Sequence, residues 1–138
     1  MSAPAPERVV LDASTAVHLL AGTEYANAVA ARVAGTDLHA PAHLDAEVLS
    51  TLRRLYRSGH LTVDDVDTGL ASLAAMPVTR HPLVELTGQA WALRDNMRLV
   101  DALYVALAAR LDTPLVTTDH RLARTCRRVE SVPGNTPN

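Results

Sequence analysis

Short apolar segments that alternate with longer segments of helical periodicity are the feature that most constrains the fold of this chain. The clearest apolar segments are residues 8–12 and 114–118, and the clearest helical segments are residues 43–57 and 99–111. Strands that alternate with helices in this way are typical of a parallel sheet covered by helices. The pattern therefore predicts a three-layer α/β/α sandwich with a short, mainly parallel central sheet.

The predicted elements account for nearly the whole chain and indicate one domain over residues 1–138. Strands are predicted at residues 8–12, 38–40, 76–79, 114–118 and 129–132. Helices are predicted at residues 14–20, 24–33, 43–57, 62–75, 82–94 and 99–111, with a further short helix that ends at Arg127. Thr62 and Asp65 resemble a capping box, and Leu99 to Leu107 carries an apolar stripe. We expect a core within residues 8–132 and a loose tail at residues 133–138.

The composition excludes several classes of protein. All 13 Lys and Arg positions are Arg, so sites that depend on lysine, such as the phosphate-binding loop of many nucleotide hydrolases, are excluded. The net charge of −2 is not that of a generally basic nucleic-acid binder. The single cysteine suits a reducing cytoplasm, and neither a secretory signal nor a membrane span is evident. We therefore expect a cytoplasmic protein without a membrane segment.

Four acidic residues from four separate segments are candidates for one site. Asp12 and Asp119 directly follow the first and fourth predicted strands, and they lie about 5 Å apart if those strands are neighbours. Asp101 falls in the first turn of one helix, and Glu47 falls in the first turns of another. Each acid also has an ordinary structural interpretation, such as a helix cap or a solvated surface charge.

The four acids considered together point to a metal ion. Ligands of open parallel sheets bind beyond the carboxyl ends of the strands, where these side chains are expected. Carboxylates that converge repel one another unless they share protons or hold a cation. Oxygen ligands of negative charge select a hard ion, Mg²⁺ or Mn²⁺, and such an ion supports water attack on a phosphodiester.

Four segments resemble, in order and spacing, the motifs of PIN domains, and most closely those of VapC-type toxins from bacterial toxin–antitoxin pairs. The segments are VVLDAS, HLDAEVLSTLRRLYRSG, NMRLVDALYVALAARL and LVTTDHRLA, and the resemblance covers about residues 8–132. It assigns the family's acidic quartet to Asp12, Glu47, Asp101 and Asp119, with Asp12 and Asp101 as the principal metal ligands. Ser14 and Thr117 match hydroxyl positions beside that site, whereas Val100 replaces a residue that is often aromatic.

The resemblance implies an activity, a cofactor and partners. It implies an endoribonuclease that requires Mg²⁺ or Mn²⁺ and leaves a 5′-phosphate and a 3′-hydroxyl. A cognate antitoxin that places an arginine in the acidic pocket is implied as the inhibitor, and a homodimer is the common assembly. An RNA-processing nuclease without an antitoxin is an alternative within the same family.

Three arginines near the fourth acid are candidates for RNA contact. Arg121, Arg124 and Arg128 have a spacing that places them on one side of a helix beside Asp119. An ordinary solvated face explains the same spacing. Outside the nuclease class, an aspartyl phosphatase would need an acid where Ser14 stands and a lysine that this chain lacks. A non-catalytic RNA- or protein-binding module is the remaining alternative.

Overall fold

The computed structural model describes residues 3–132 and is built around a five-stranded sheet in which every neighbouring pair of strands is parallel. The strand order is β3-β2-β1-β4-β5. The strands are β1 (Arg8–Leu11), β2 (Asp37–Pro41), β3 (Val78–His81), β4 (Leu115–Thr117) and β5 (Val129–Ser131). The predicted sandwich is confirmed, and the expected loose tail at residues 133–138 lies outside the described residues.

Helices cover both faces of this sheet. They are α1 (Ala13–Ala21), α2 (Ala26–Val33), α3 (Leu44–Arg57), α4 (Val63–Ala75), α5 (Thr87–Ala92), α6 (Leu99–Leu111) and α7 (His120–Ala123). Helix α1 packs against α2, α3 and α4 in one layer, whereas α6 packs against β1, β2 and β4 with α5 beside it. Within residues 3–132, no helix combines the length and the apolar character needed to cross a membrane.

Local chemistry explains where the helices begin and end. Asp12 caps α1 by accepting a hydrogen bond from the Thr15 backbone N–H, and Gly22 ends that helix with a φ of 64°, a conformation that favours glycine. Thr62 and Asp65 form the predicted capping box at the start of α4. Most predicted boundaries are displaced by no more than about two residues, which is the usual uncertainty of helix and strand ends.

Two predicted helices are wrong in extent. Residues 82–94 form a 3-10 turn at Leu83–Glu85 and the short helix α5 in place of one continuous helix. The break between the two falls at Leu86. Helix α7 ends at Ala123 and does not reach Arg127, and only four residues carry helical geometry after Asp119. The predicted apolar stripe of α6 is also partly wrong, because Leu99 is 45% exposed.

The strand order creates a crevice at one end of the sheet. The chain runs from β1 through β2 to β3 on one side and then returns to β4 on the other side of β1. Chain connections therefore diverge at the carboxyl ends of β1 and β4, where ligands of open parallel sheets bind. Val9, Val10, Leu115 and Val116 are fully buried and hold these two central strands in the core.

A pair of histidines on neighbouring strands predicts a pH dependence of stability. His39 hydrogen-bonds through Nε2 to Asp37 (2.9 Å) and through Nδ1 to His81 (2.9 Å). Because a carboxylate accepts the Nε2–H, His39 Nδ1 accepts the His81 Nε2–H. Burial is the main cause that lowers the pKa of His81; His39 and Arg110 lower it further, and Glu85 opposes this shift.

The lowered pKa means that folding favours the neutral form of His81. We expect the free energy of unfolding to be unaffected by this group above the ordinary pKa of 6.5 and to fall as the pH decreases below it, because the unfolded chain then binds a proton more readily. Urea denaturation at about pH 7.5 and pH 5.5 measures the effect. The His81→Gln variant should lose part of this dependence, and an identical pH profile in the variant would contradict the assignment.

Candidate active site

A cleft of about 470 Å³ opens at the carboxyl ends of β1 and β4 and gathers the four predicted acids. Its walls come from the start of α1, one face of α3 and the first turns of α6. The side chains that matter chemically are Asp12, Glu47, Asp101 and Asp119, together with Ser14, Tyr104, Arg54 and Arg98. The four carboxylates therefore line the same cleft.

Asp12 is the most buried of the four acids, with 6% of its surface exposed. Its Oδ1 accepts hydrogen bonds from the Thr15 backbone N–H (3.0 Å), the Thr15 hydroxyl (2.6 Å) and the Ser14 hydroxyl (3.0 Å). Its Oδ2 accepts from the Thr117 hydroxyl (2.5 Å). Within residues 3–132, no arginine or histidine lies at ion-pair distance from this carboxylate. All of these hydrogen-bond donors are neutral, so no side-chain cation in the described part of the chain balances the charge of the carboxylate.

Thr117 connects the two acids that follow the central strands. Its hydroxyl donates to Asp12 and accepts a hydrogen bond from the Asp119 backbone N–H (2.9 Å). Asp119 in turn caps α7, and its Oδ1 accepts from the backbone N–H groups of Arg121 and Leu122. The capping interpretation of Asp119 is therefore correct, and it coexists with a place in the cleft.

Glu47 and Asp101 approach the cleft from opposite layers of the sandwich. Glu47 lies in the first turn of α3, and its Oε1 accepts a hydrogen bond from the Tyr104 hydroxyl (2.6 Å). Asp101 lies in the first turn of α6 and pairs with the guanidinium of Arg98 at 3.1 and 3.3 Å. Their side chains are 28% and 23% exposed, so both remain accessible to solvent and to a ligand.

Arg98 places a positive charge at the edge of the acidic cleft. The hydrogen bond to Asp101 raises the pKa of Arg98, and the charges of Glu47 and Asp119 act in the same direction. Its side chain is 74% exposed, so it can leave Asp101 at little cost. Arg98 is therefore a cation at the edge of the cleft that is paired with one of its four acids.

The donor set fits a hard divalent cation. Carboxylate and hydroxyl oxygens line the cleft, and these are the ligands that Mg²⁺ and Mn²⁺ prefer. In the conformation described for residues 3–132, no three acidic, histidine or cysteine side chains are grouped tightly enough to ligate one ion. Asp101 is paired with Arg98 in this conformation, so ligation by Asp101 requires Arg98 to leave.

The three arginines predicted near Asp119 do not share one helical side. Arg121 lines a second cleft of about 390 Å³ that also contacts Arg98, Asp101 and Asp119. Arg124 lies just beyond the end of α7, and Arg128 precedes β5. Arg128 pairs with Asp112 (3.0 Å) before β4, at the opposite end of the sheet from the acids. The helical premise is wrong because α7 is shorter than its sequence pattern predicted, and Arg121 is the one of the three that borders the acids.

Sequence reasoning missed three residues around the acids. Thr15 is fully buried and hydrogen-bonds to Asp12, and its position three residues after a helix cap is the signal that could have identified it. Tyr104 stands among apolar residues in the sequence, although its hydroxyl reaches Glu47. Arg98, three residues before Asp101 at the start of a helix, has the spacing of a side-chain pair.

The fold and the cleft define a parallel α/β protein with a carboxylate-lined site at the point where its strand order reverses. The sequence matches the family model described as PIN domain over residues 9–128, so the chain belongs to the PIN domain family. A relative from Mycobacterium tuberculosis named Ribonuclease VapC3 is 57% identical over 120 residues, covering 86% of this chain and 88% of that relative. Ribonuclease VapC12 of the same organism is 40% identical, covering 84% of this chain and 90% of its own.

Two solved structures share the fold at low sequence identity. PAE2754 from Pyrobaculum aerophilum superposes with a TM-score of 0.68 at 21% identity, covering 91% of this chain and 84% of its own. VapC20 of Mycobacterium tuberculosis, described as a toxin that cleaves the sarcin–ricin loop, has a TM-score of 0.63 at 18% identity. That superposition covers 84% of this chain and 93% of VapC20. At these identities the two structures support the fold alone.

Proposed function

We propose that this protein is a metal-dependent endoribonuclease that acts as the toxin of a type II toxin–antitoxin pair. The observation that carries the proposal is the convergence of four carboxylates from four segments in one cleft. The ribonuclease names of relatives that are 57% and 40% identical over most of their length support the same activity. A binding module without catalysis would gain little from four acids in one cleft, because their mutual repulsion is costly without a cation.

We assign the metal ligands to the four acids of the cleft. Asp12 and Asp101 are the principal ligands, and Glu47 and Asp119 support them. Asp12 is held in place by Ser14, Thr15 and Thr117, so its carboxylate enters the site with little loss of conformational freedom. The cation is Mg²⁺ or Mn²⁺, and when bound it supplies charge neutralisation and activation of water for attack on phosphorus.

The reaction assigned to the cleft is hydrolysis of an RNA phosphodiester. A water molecule loses a proton as its oxygen forms a bond to phosphorus, and the bond between phosphorus and the 3′-oxygen breaks. The departing 3′-oxygen takes up a proton, so the products are a 3′-hydroxyl and a 5′-phosphate. The carboxylates hold the site, and Arg98 and Arg121 at its rim can contact neighbouring phosphates once Arg98 leaves Asp101.

The proposal includes two protein partners. A small antitoxin that inserts an arginine would neutralise the cleft, as Arg98 already does in part by its pair with Asp101.

A homodimer is the second proposed assembly. Large apolar side chains on the surface support contacts with other chains. They are Leu49, Tyr56, Val63, Val84, Trp91, Leu99 and Val100. We propose that the protein acts on RNA in the cytoplasm.

Cleavage of a mixed RNA pool by antitoxin-free protein tests the proposed function. We expect cleavage with Mg²⁺ or Mn²⁺, none with EDTA, and recovery when the metal is restored. The Glu47→Gln variant, purified in the same way, controls for contaminating nuclease and should cut far less. Equal cleavage with EDTA would contradict metal dependence, and absence of both cleavage and metal binding would favour a non-catalytic binding module.

The position of Arg121 beside the acids predicts a role in binding RNA. We expect Arg121→Ala to weaken binding of single-stranded RNA in EDTA and to reduce the slope of log affinity against log salt by about one unit, because one phosphate contact is lost. Arg128→Ala is the matched control, since Arg128 lies at the opposite end of the sheet and pairs with Asp112. Equal loss of affinity in both variants would contradict this assignment and indicate a diffuse effect of charge.

A further inference from the structure

Tyr104 links Glu47 to α6, the helix that carries Asp101. It lies one helical turn after Asp101 on α6, and its hydroxyl donates to Glu47 on α3 (2.6 Å). Residues three apart on a helix share a face, so Asp101 and Tyr104 point toward the same cleft. The hydrogen bond therefore connects Glu47, in the layer of α3, to α6 in the opposite layer, where Asp101 lies.

The tyrosine ring itself is held rigidly by the core. Only 1% of Tyr104 is exposed, and its ring lies against that of His43 with centroids 4.6 Å apart. His43 in turn hydrogen-bonds through Nε2 to the Val100 carbonyl (3.0 Å) at the start of α6. A flexible glutamate is thus anchored to an aromatic side chain that has almost no freedom to move.

The contacts divide the Glu47 carboxylate into one held oxygen and one free oxygen. Both the Tyr104 hydroxyl and His43 Nε2, at 3.3 Å, approach Oε1. Within residues 3–132, Oε2 accepts no hydrogen bond from the protein. A tyrosine phenol carries its proton at physiological pH, so the Tyr104 hydroxyl is the donor to Oε1.

We infer that Tyr104 is a positioning residue that fixes the Glu47 carboxylate relative to Asp101 and leaves Oε2 available to the cation. The inference rests on the proposed metal site, and it assigns to a neutral core residue a part in building that site. Residues that orient metal ligands commonly affect metal affinity or activity about 10- to 100-fold. The effect of Tyr104 is transmitted only through Glu47.

Crystal structures of metal-free wild-type and Tyr104→Phe protein test the inference directly. We expect the Glu47 carboxylate to shift by roughly 1 Å or more, or to occupy several rotamers, in the variant because the phenol no longer holds it. An unchanged Glu47 in the variant would overturn the inference. The exposed Tyr56 on α3 supplies the matched control, and Tyr56→Phe should leave Glu47 in place.

Mn²⁺ titration by calorimetry gives a second readout. Tyr104→Phe should weaken Mn²⁺ binding about tenfold, and in a Glu47→Ala background the same substitution should change it by less than about twofold. Equal losses in the two backgrounds would overturn the inference, because Tyr104 would then act on the fold in general. If wild type binds no Mn²⁺, the proposed function fails, and the crystal comparison still decides whether Tyr104 positions Glu47.

The wild-type protein provides a readout that does not depend on the folding of the phenylalanine variant. A hydroxyl proton held between Tyr104 and Glu47 should exchange slowly enough to be seen by NMR in wild-type protein. We expect that resonance to vanish in Glu47→Ala. Its persistence in Glu47→Ala would show that Glu47 is not the acceptor and would overturn the inference.

Discussion

Replacement of Asp101 by Asn is expected to reduce metal-stimulated RNA cleavage about 1000-fold while leaving the fold nearly as stable as in the wild type. The substitution preserves shape and removes one anionic ligand from the proposed metal site. Metal ions contribute several kcal/mol to the stabilisation of such transition states, and about 4 kcal/mol corresponds to 1000-fold in rate. Loss of a principal ligand should forfeit most of that contribution.

The small effect on stability follows from the surroundings of Asp101. Its partner Arg98 is 74% exposed, and exposed ion pairs contribute about 0.2–1 kcal/mol. Asn still accepts a hydrogen bond, so the free energy of unfolding should fall by less than about 1 kcal/mol. The predicted separation between a large kinetic effect and a small thermodynamic effect is what distinguishes a site residue from a structural one.

The opposite end of the same helix offers a matched control for Asp101→Asn. Asp112 follows α6 and pairs with Arg128, so it is also an aspartate paired with an arginine at an end of α6. Its φ of 51° lies in the left-handed region, which Asn tolerates well. Initial rates of cleavage with Mn²⁺ should be those of the wild type for Asp112→Asn. Urea denaturation measures the stability of both variants. Equal cleavage by the two variants would contradict the role of Asp101.

The parts of the site that lie at strand ends could be predicted from the sequence. A parallel sheet collects the carboxyl ends of its strands at one edge, so Asp12 and Asp119 come together whenever β1 and β4 are neighbours, as they are. Glu47 and Asp101 were candidates from their places in the first turns of helices, but a helical position alone does not reveal what its side chain faces, and the family resemblance supported their place in the site.

The contacts that link the acids could not be predicted in this way. The hydrogen bond between Tyr104 and Glu47 joins residues 57 positions apart, and only the packing of α6 near α3 brings them together. Tyr104 has the apolar neighbours of an ordinary core residue, so its sequence context conceals its hydroxyl. Helix α7 is shorter than predicted for a related reason, since the chain leaves the helix after Ala123 to reach β5.

Asp12 unites the structural and the chemical requirements of the site, and two substitutions separate them. Asp12→Ala removes the cap of α1 and the acceptor of three buried hydroxyl or backbone groups of Thr15 and Thr117. A lost cap costs about 1 kcal/mol, and buried donors without partners cost about 1–3 kcal/mol each. Because hydroxyls can rotate to other acceptors, we expect a total loss of about 3 kcal/mol in the free energy of unfolding.

Asp12→Asn should keep most of the wild-type free energy of unfolding. The amide oxygen replaces Oδ1 as the cap of α1 and as the acceptor for Thr15. The Thr117 hydroxyl can turn to accept a hydrogen bond from the amide NH₂. The substitution nevertheless removes the buried charge, so cleavage should fall about 1000-fold as in the alanine variant. Mn²⁺ at about 100 times its dissociation constant should stabilise wild-type protein by about 2.7 kcal/mol and should not stabilise either variant. Urea denaturation with and without Mn²⁺ measures all three proteins. If Mn²⁺ stabilised Asp12→Asn as much as the wild type, Asp12 would not be a metal ligand. If a well-folded Asp12→Asn protein lost that stabilisation, the charge of Asp12, and not its place in the fold, would be what binds the cation.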